Sequence, residues 1–312
     1  LGHRCGVVCN SDDHKCRPGA SHPGASDFGT YGGLTCFLSS ELSRDSIFDC
    51  MRRRHHYGTS GNRLYLDVRA RFKTSANFYE RDPRIYKSEP VTTTEVMMGD
   101  IAQTDDRVVD LFVETVAHTP IERVEILNNK EVVQTIRGYG NRDLGNRIRF
   151  AWGGAKYRGR GRKTNWSGKI SIEGASIINF QKINAWNPEK RFEQLNDNEI
   201  TWDSITTGNF SGFDIWVDNL SNGKLTIKSN FVNTSISLKY ITMEDTIFDA
   251  GGLERRLRVF RMPNANNVYE IEEVTPVSLN PEGDNPLWVR VTTDDGYNAW
   301  SSPIFIYRNK PS

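Results

Sequence analysis

Cys5-Gly6-Val7-Val8-Cys9-Asn10-Ser11-Asp12-Asp13-His14-Lys15 is a short apolar run that ends abruptly in a carboxylate and an imidazole two residues apart. Continuous apolar runs of this length suit a strand buried on both faces, as in a parallel sheet. In barrels of such strands, catalytic groups project from the C-terminal strand ends. Asp12 and His14 share parity, so an extended backbone points both to one side, with Asp13 on the other. A carboxylate oxygen beside an imidazole nitrogen is a ligand pair for Zn²⁺, Mn²⁺ or Fe²⁺. The plainer alternative is a strand end whose Asp caps the next turn and whose His is merely exposed. Three residues alone do not decide between them.

Neighbouring segments add to the pattern. Asn10-Ser11-Asp12-Asp13-His14-Lys15 is followed by Arg17-Pro18-Gly19-Ala20 and Tyr31-Gly32-Gly33-Leu34-Thr35. Further on come Tyr57-Gly58-Thr59-Ser60-Gly61, Thr164-Asn165-Trp166-Ser167-Gly168 and Ala299-Trp300-Ser301-Ser302-Pro303-Ile304. Together these resemble the C-terminal half of bacterial hydrolases of the PHP (polymerase and histidinol phosphatase) superfamily, of the carbaryl-hydrolase-related type without an assigned substrate. The resemblance implies an α/β barrel remnant carrying the last strands of a PHP-type barrel. It also implies metal-dependent hydrolysis of a phosphoester, ester, amide or carbamate in a small molecule, with about two or three divalent cations (Zn, Mn or Fe) activating water. Asp12 and His14 then become metal ligands. The family's earlier His, Asp and Glu ligands have no counterpart here. The chain therefore reads as a fragment, expected to bind metal weakly and to be inactive by itself.

Around the motif, Lys15 and Arg17 are candidates for holding a substrate anion, or else they balance Asp12 and Asp13. Pro18 to Gly33 is a Gly- and Pro-rich loop in which His22 is either a substrate contact or an exposed histidine. Tyr57 and Thr59 are rim candidates by the same resemblance. Leu42 to Arg54 reads as a helix, with Ser43 or Asp45 as N-cap, Ile47, Phe48 and Met51 as an apolar stripe, and arginines at the negative end of the dipole.

From Asn62 onward the texture changes to period-two alternation, as in Leu64–Phe72, Arg107–Val116, Phe213–Val217 and Pro286–Val291. Asn128-Asn129-Lys130 and Asp294-Asp295-Gly296-Tyr297 supply turns. This predicts a mostly β region of immunoglobulin-like sandwich character. The expected division is a barrel part over 1–75, a linker over 76–91, a sandwich from 92–157 plus 257–312, and an inserted β unit over 158–256. Trp166, Trp186, Trp202 and Trp216 in the insertion either stack on sugar faces or fill cores. The first use suits the rival reading, a non-catalytic binding or structural module on a degenerate barrel.

Composition narrows the rest. The chain of 312 residues has a net charge of +1 with interspersed signs, which excludes a dedicated nucleic-acid surface. The basic cluster Arg158-Gly159-Arg160-Gly161-Arg162-Lys163 reads as a solvated loop or a phosphate contact. No apolar run approaches the ~20 residues of a membrane span. All five cysteines lie in the first fifty residues, an odd count that argues against a disulfide framework. The compartment stays open between cytoplasm and periplasm.

Overall fold

The computed structural model describes residues 2–11, 32–159, 162–185, 187–206 and 209–308. They divide into two compact units: 2–11 with 32–138 and 267–308, and 139–266.

The first unit contains β1 (Leu34–Phe37), helix α1 (Arg44–Arg53), β2 (His56–Thr59), β3 (Tyr65–Tyr79), β4 (Val91–Met97), β5 (Ile101–Thr104), β6 (Val108–Val116), β7 (Ile121–Asn128) and β8 (Glu131–Ile136). Four more strands come from its C-terminal stretch: β19 (Glu270–Ser278), β20 (Asp284–Thr293), β21 (Asn298–Ser301) and β22 (Ile304–Arg308). One antiparallel array runs β4-β3-β6-β19, and another runs β8-β7-β20-β21-β2-β1. A parallel pair, β22 with β5, joins them. Alternate residues from both arrays close one core: Leu66, Val68 and Ala70 of β3 and Leu111 and Val113 of β6 meet Val124 and Ile126 of β7 and Val289 and Val291 of β20. This is sandwich packing, in which alternate side chains of each strand turn into the shared core.

The described residues form no barrel remnant. A barrel of this type repeats parallel strands joined by crossover helices, yet α1 is the sole α-helix among the described residues. The strands flanking it, β1 and β2, pair antiparallel, with Leu34 opposite Thr59 and Phe37 opposite His56. The cause is local. Arg54 caps α1 in the left-handed conformation at φ 65° and reverses the chain. His55 then lies opposite Leu38, whose N–H donates to its carbonyl at 3.0 Å, and the ladder extends from there. Ser43 is the N-cap, its Oγ accepting from Ser46 N at 3.2 Å. The apolar stripe behaves differently from expectation: Cys50 is buried, whereas Phe48 and Met51 are about half exposed. The apolar run at 5–9 forms no ladder, and Val8 is 61 % exposed.

The second unit is a separate β-sandwich. One sheet has the order β12 (Phe192–Asn196), β13 (Glu199–Thr206), β10 (Thr164–Glu173), β15 (Lys224–Ser229), β16 (Asn233–Ser237). The other runs β11 (Ile177–Ile183), β14 (Phe210–Val217), β9 (Arg147–Ala155), β18 (Leu253–Met262), β17 (Thr246–Asp249). Aromatic rings fill the space between the sheets. Trp152 stacks on Trp202 with centroids 5.1 Å apart, and Phe150 stacks on Phe213 at 4.5 Å. Trp166 and Trp202 are thus core residues, each 1 % exposed. Their indoles are not open to a sugar face. Among the described residues, no helix is long and apolar enough to cross a membrane.

Candidate functional site

Residues 2–11 lie as an extended strap on the first unit, and the predicted metal motif starts where the strap ends. The strap is fixed at three points. Near its start, Arg4 is almost fully buried and donates from Nε and Nη2 to the two carboxylate oxygens of Asp284 at 3.0 and 2.7 Å. Its Nη1 reaches Asp82 at 3.1 Å, and its guanidinium sits 4.8 Å from the Tyr307 ring centroid. Burial works against ionisation of Asp82, but hydrogen bonds from Arg84 and the charge of Arg4 hold its carboxyl below the usual range.

In the middle, Val7 N donates to Ser302 Oγ at 3.1 Å, and the Val7 carbonyl lies 2.8 Å from His56 Nδ1. A carbonyl can only accept, so the proton of a neutral His56 is on Nδ1. Burial pushes the His56 imidazolium to a lower pKa than the ordinary 6.5, with the nearby charges of Arg54 and His55 acting in the same direction. At the far end, Thr35 Oγ1 accepts from Cys9 N at 3.0 Å and donates to Cys9 O at 2.8 Å. The strap crosses the β1–β2 pair so closely that a Cβ on Gly58 would stand 2.2 Å from Cys9 Sγ. One on Gly33 would stand 2.9 Å from Cys9 Cβ and 3.1 Å from the Asn10 backbone. Glycine is required at both positions by this approach.

Asp12, His14, Lys15, Arg17 and His22, together with Asp13, lie outside the described residues. Asn10, which leads into them, passes beside Gly33, one residue after the described chain resumes. Tyr57 and Thr59 are both described and both buried. The Tyr57 hydroxyl donates to Leu64 O at 2.6 Å, and burial pushes its pKa upward. Thr59 Oγ1 donates to Asn62 O at 2.7 Å and accepts from Gly61 N at 3.2 Å. Their hydroxyls clamp the turn after β2. Beside the helix cap, His55 Nε2 and Asp100 Oδ1 are 2.7 Å apart, and Asp100 Oδ2 also accepts from Met97 N at 2.9 Å. Neither this pair nor the Arg4 cluster carries a local sequence signal, since their members lie far apart in the chain. Among the described residues, no group of three His, Cys, Asp or Glu side chains is placed to hold a metal ion.

A family model described as "Protein of unknown function (DUF3604)" matches residues 10–146, so that stretch is similar to this family. The match starts at Asn10, the last strap residue but one before the motif. No curated protein matches the chain, and no solved structure does.

Proposed function

We propose that Asp12 and His14 contribute to a divalent-metal centre that hydrolyses a small-molecule phosphoester, ester, amide or carbamate, with Lys15, Arg17 and His22 toward the substrate. The observation that carries this reading is the strap. A segment with one apolar side chain in solvent is held by an Arg4–Asp284 fork, a His56 contact and a two-way Thr35–Cys9 clasp, and it delivers the chain to Ser11. Such anchoring suits residues that must be held in fixed geometry for ligation. The donor types fit: a carboxylate and an imidazole are ordinary ligands of Zn²⁺, Mn²⁺ or Fe²⁺. The pair is only part of a coordination set, and the described residues add no cluster to complete it.

When bound, a cation at such a centre supplies an activated water and polarises the scissile group. The chain's own contribution is to place the ligands. The Arg4, Val7 and Cys9 anchors restrain Ser11, and cations at Lys15 and Arg17 suit an anionic substrate group. Tyr57 and Thr59, with their hydroxyls bonded to main-chain carbonyls, act as supports of the β2 turn in this reading.

The test is metal content per chain of the intact protein, measured by elemental analysis with hydrolytic activity alongside. Asp12→Ala and His14→Ala should each lower metal stoichiometry and abolish activity, while Asp13→Ala retains both. Wild-type protein free of divalent metal, or Asp13→Ala as damaging as Asp12→Ala, would overturn the assignment.

A further inference from the structure

We propose that the outer face of β3, β6 and β19 in the first unit docks a cationic polypeptide segment, one with Lys or Arg on either side of an apolar side chain. This surface is independent of the metal motif. Core-facing residues of the three strands alternate with outward ones, and the register sets the outward side chains in rows across the sheet.

One row is Asp67, Glu114 and Glu272, three carboxylates on adjacent strands. Directly opposed side chains of an antiparallel pair have Cβ atoms about 4.5–5.5 Å apart, and like charges so placed destabilise the sheet. Arg69 Nε donates to Asp67 Oδ2 at 2.8 Å, and both Arg69 and Arg71 pair with Glu95. Glu114 and Glu272, with Glu270 one row before and Asp110 two rows beyond, have no ion-pair partner among the described residues. Asp67 is 3 % exposed, and its Oδ1 is buried with no hydrogen bond, an acceptor the chain itself does not satisfy. The negative field reaches Tyr65: burial pushes its hydroxyl above the ordinary 10.0, and the charges of Asp67 and Glu114 act in the same direction. These unpaired carboxylates share one face of a chain whose net charge is +1.

Apolar side chains separate the acids. Phe112 and Val274 form the row between Glu114 and Asp110, and Tyr65 and Val116 lie on the other side of the carboxylate row. Tyr65, Val116 and Val274 are 42, 40 and 47 % exposed. Rows lie two residues apart, about 7 Å along a strand, so acid, apolar and acid follow one another at that step. An extended segment with Lys or Arg at i and i+4 and an apolar residue at i+2 has the same spacing. Its cations meet unpaired carboxylates and relieve the Glu114–Glu272 repulsion, while its apolar side chain covers Phe112 and Val274. A divalent ion suits the face poorly, since no three carboxylates among the described residues are placed to hold one. A small organic cation would leave the apolar row uncovered, and a second copy of this face would meet it with charge of the same sign.

Fluorescence polarisation of the full chain tests this with a labelled peptide repeating Lys-Ser-Leu-Ser, against peptides repeating Glu-Ser-Leu-Ser and Lys-Ser-Ser-Ser. The Lys-Leu peptide should bind at least about tenfold more tightly than either control, and raised salt should weaken it. Glu114→Gln with Glu272→Gln should weaken binding about tenfold or more. The same double variant should melt no lower than wild type, because a like-charge pair has been removed. Glu173→Gln with Glu244→Gln, an equal change of net charge on exposed residues of the second unit, should leave binding unaltered. Val274→Ser should narrow the preference for Lys-Ser-Leu-Ser over Lys-Ser-Ser-Ser. No binding, equal binding of the Glu peptide, an unaffected Glu114–Glu272 double variant, or equal loss in the second-unit variant would each overturn the proposal. Displacement of the peptide by equimolar spermidine or Ca²⁺ would overturn it in favour of a small cation.

Discussion

Asp214→Asn is expected to destabilise the second unit strongly. Asp214 is fully buried on β14, directly opposite Arg149 on β9 and diagonal to Arg147. Arg149 donates from Nε to Oδ1 and from Nη2 to Oδ2, both at 2.8 Å, and Arg147 Nε donates to Oδ2 at 3.0 Å. The two guanidiniums are 4 % and 1 % exposed by residue. An amide has the carboxylate's shape but not its charge, and it turns an NH₂ toward a guanidinium. Breaking a buried pair from one side costs about 3–5 kcal/mol, because the remaining charges stay desolvated. For a unit of roughly 130 residues, an unfolding entropy of ~2.1 cal/mol/K per residue converts that cost to a fall in Tm of about 11–18 °C. Calorimetry of the full chain reads it, with the transition of the first unit as internal reference. Removing the cations as well, in Asp214→Leu with Arg147→Met and Arg149→Met, should recover much of the loss, since an apolar replacement of a buried ion cluster is tolerated. A single-variant loss below about 1 kcal/mol would refute the claim that this carboxylate holds the two arginines in the sheet.

Two further outcomes concern the strap. Gly58→Ala places a methyl group on Cys9 Sγ and Cβ, so it should speed thiol labelling of Cys9 and exchange of its amide, at a cost of about 1–3 kcal/mol. Adding Cys9→Gly to Gly58→Ala should restore the melting temperature, and failure of that rescue would remove the contact as the cause. His56 is protonated less readily in the fold than at its ordinary 6.5, because of burial. The unfolded chain therefore takes up a proton first, and stability is complete above about pH 6.5 and falls as pH drops below it. The Asp82 and Glu95 carboxyls, held below their ordinary 3.8 and 4.5, fade only at lower pH. The urea midpoint of the first unit should be lower at about pH 5.5 than at about pH 7.5, and His56→Gln should flatten the difference. Equal wild-type midpoints at both pH values would contradict this.

Local signals in the sequence were read correctly where the physics is local. The helix over Leu42–Arg54 appears as Arg44–Arg53 with Ser43 as its cap, because capping and dipole rules act within one turn. The turn at Asn128-Asn129-Lys130 joins β7 to β8, with Asn129 at φ 57°. The Asp294–Tyr297 turn closes β20 onto β21, with Gly296 at φ 95°. The barrel expectation rested on the resemblance and on Cys5–Cys9, where an unbroken apolar run carries no record of its partner. A strand buried on both faces and a strap laid over Gly33 and Gly58 have the same composition. What separates them is the absence of Cβ atoms on the element underneath, at positions distant in sequence. For the metal motif the sequence remains the whole source: Asp12 and His14 are read from residue type and spacing, and the structure adds the anchoring that precedes them.

Alternation has a related blind spot, and the second unit shows what it hides. In Phe213-Asp214-Ile215-Trp216-Val217 the pattern assigns Phe213, Ile215 and Val217 to the core, as observed. By the same rule Asp214 belongs to a polar face, and polar faces are read as solvated. Asp214 is nevertheless fully buried, as are Arg147 and Arg149, which share that face through the β9–β14 register. Period two reports which side a residue takes, not whether that side meets water. The charges themselves held the clue: Arg147-Ile148-Arg149 and Asp214 offer two cations and an anion at positions that pair when the strands align. Three ions on one patch of sheet are cheap to leave in water and costly to bury unmatched. Where a fold buries them together, the pairing fixes register, because a one-residue slip of β14 would move Asp214 into the apolar interior and take its carboxylate away from both arginines.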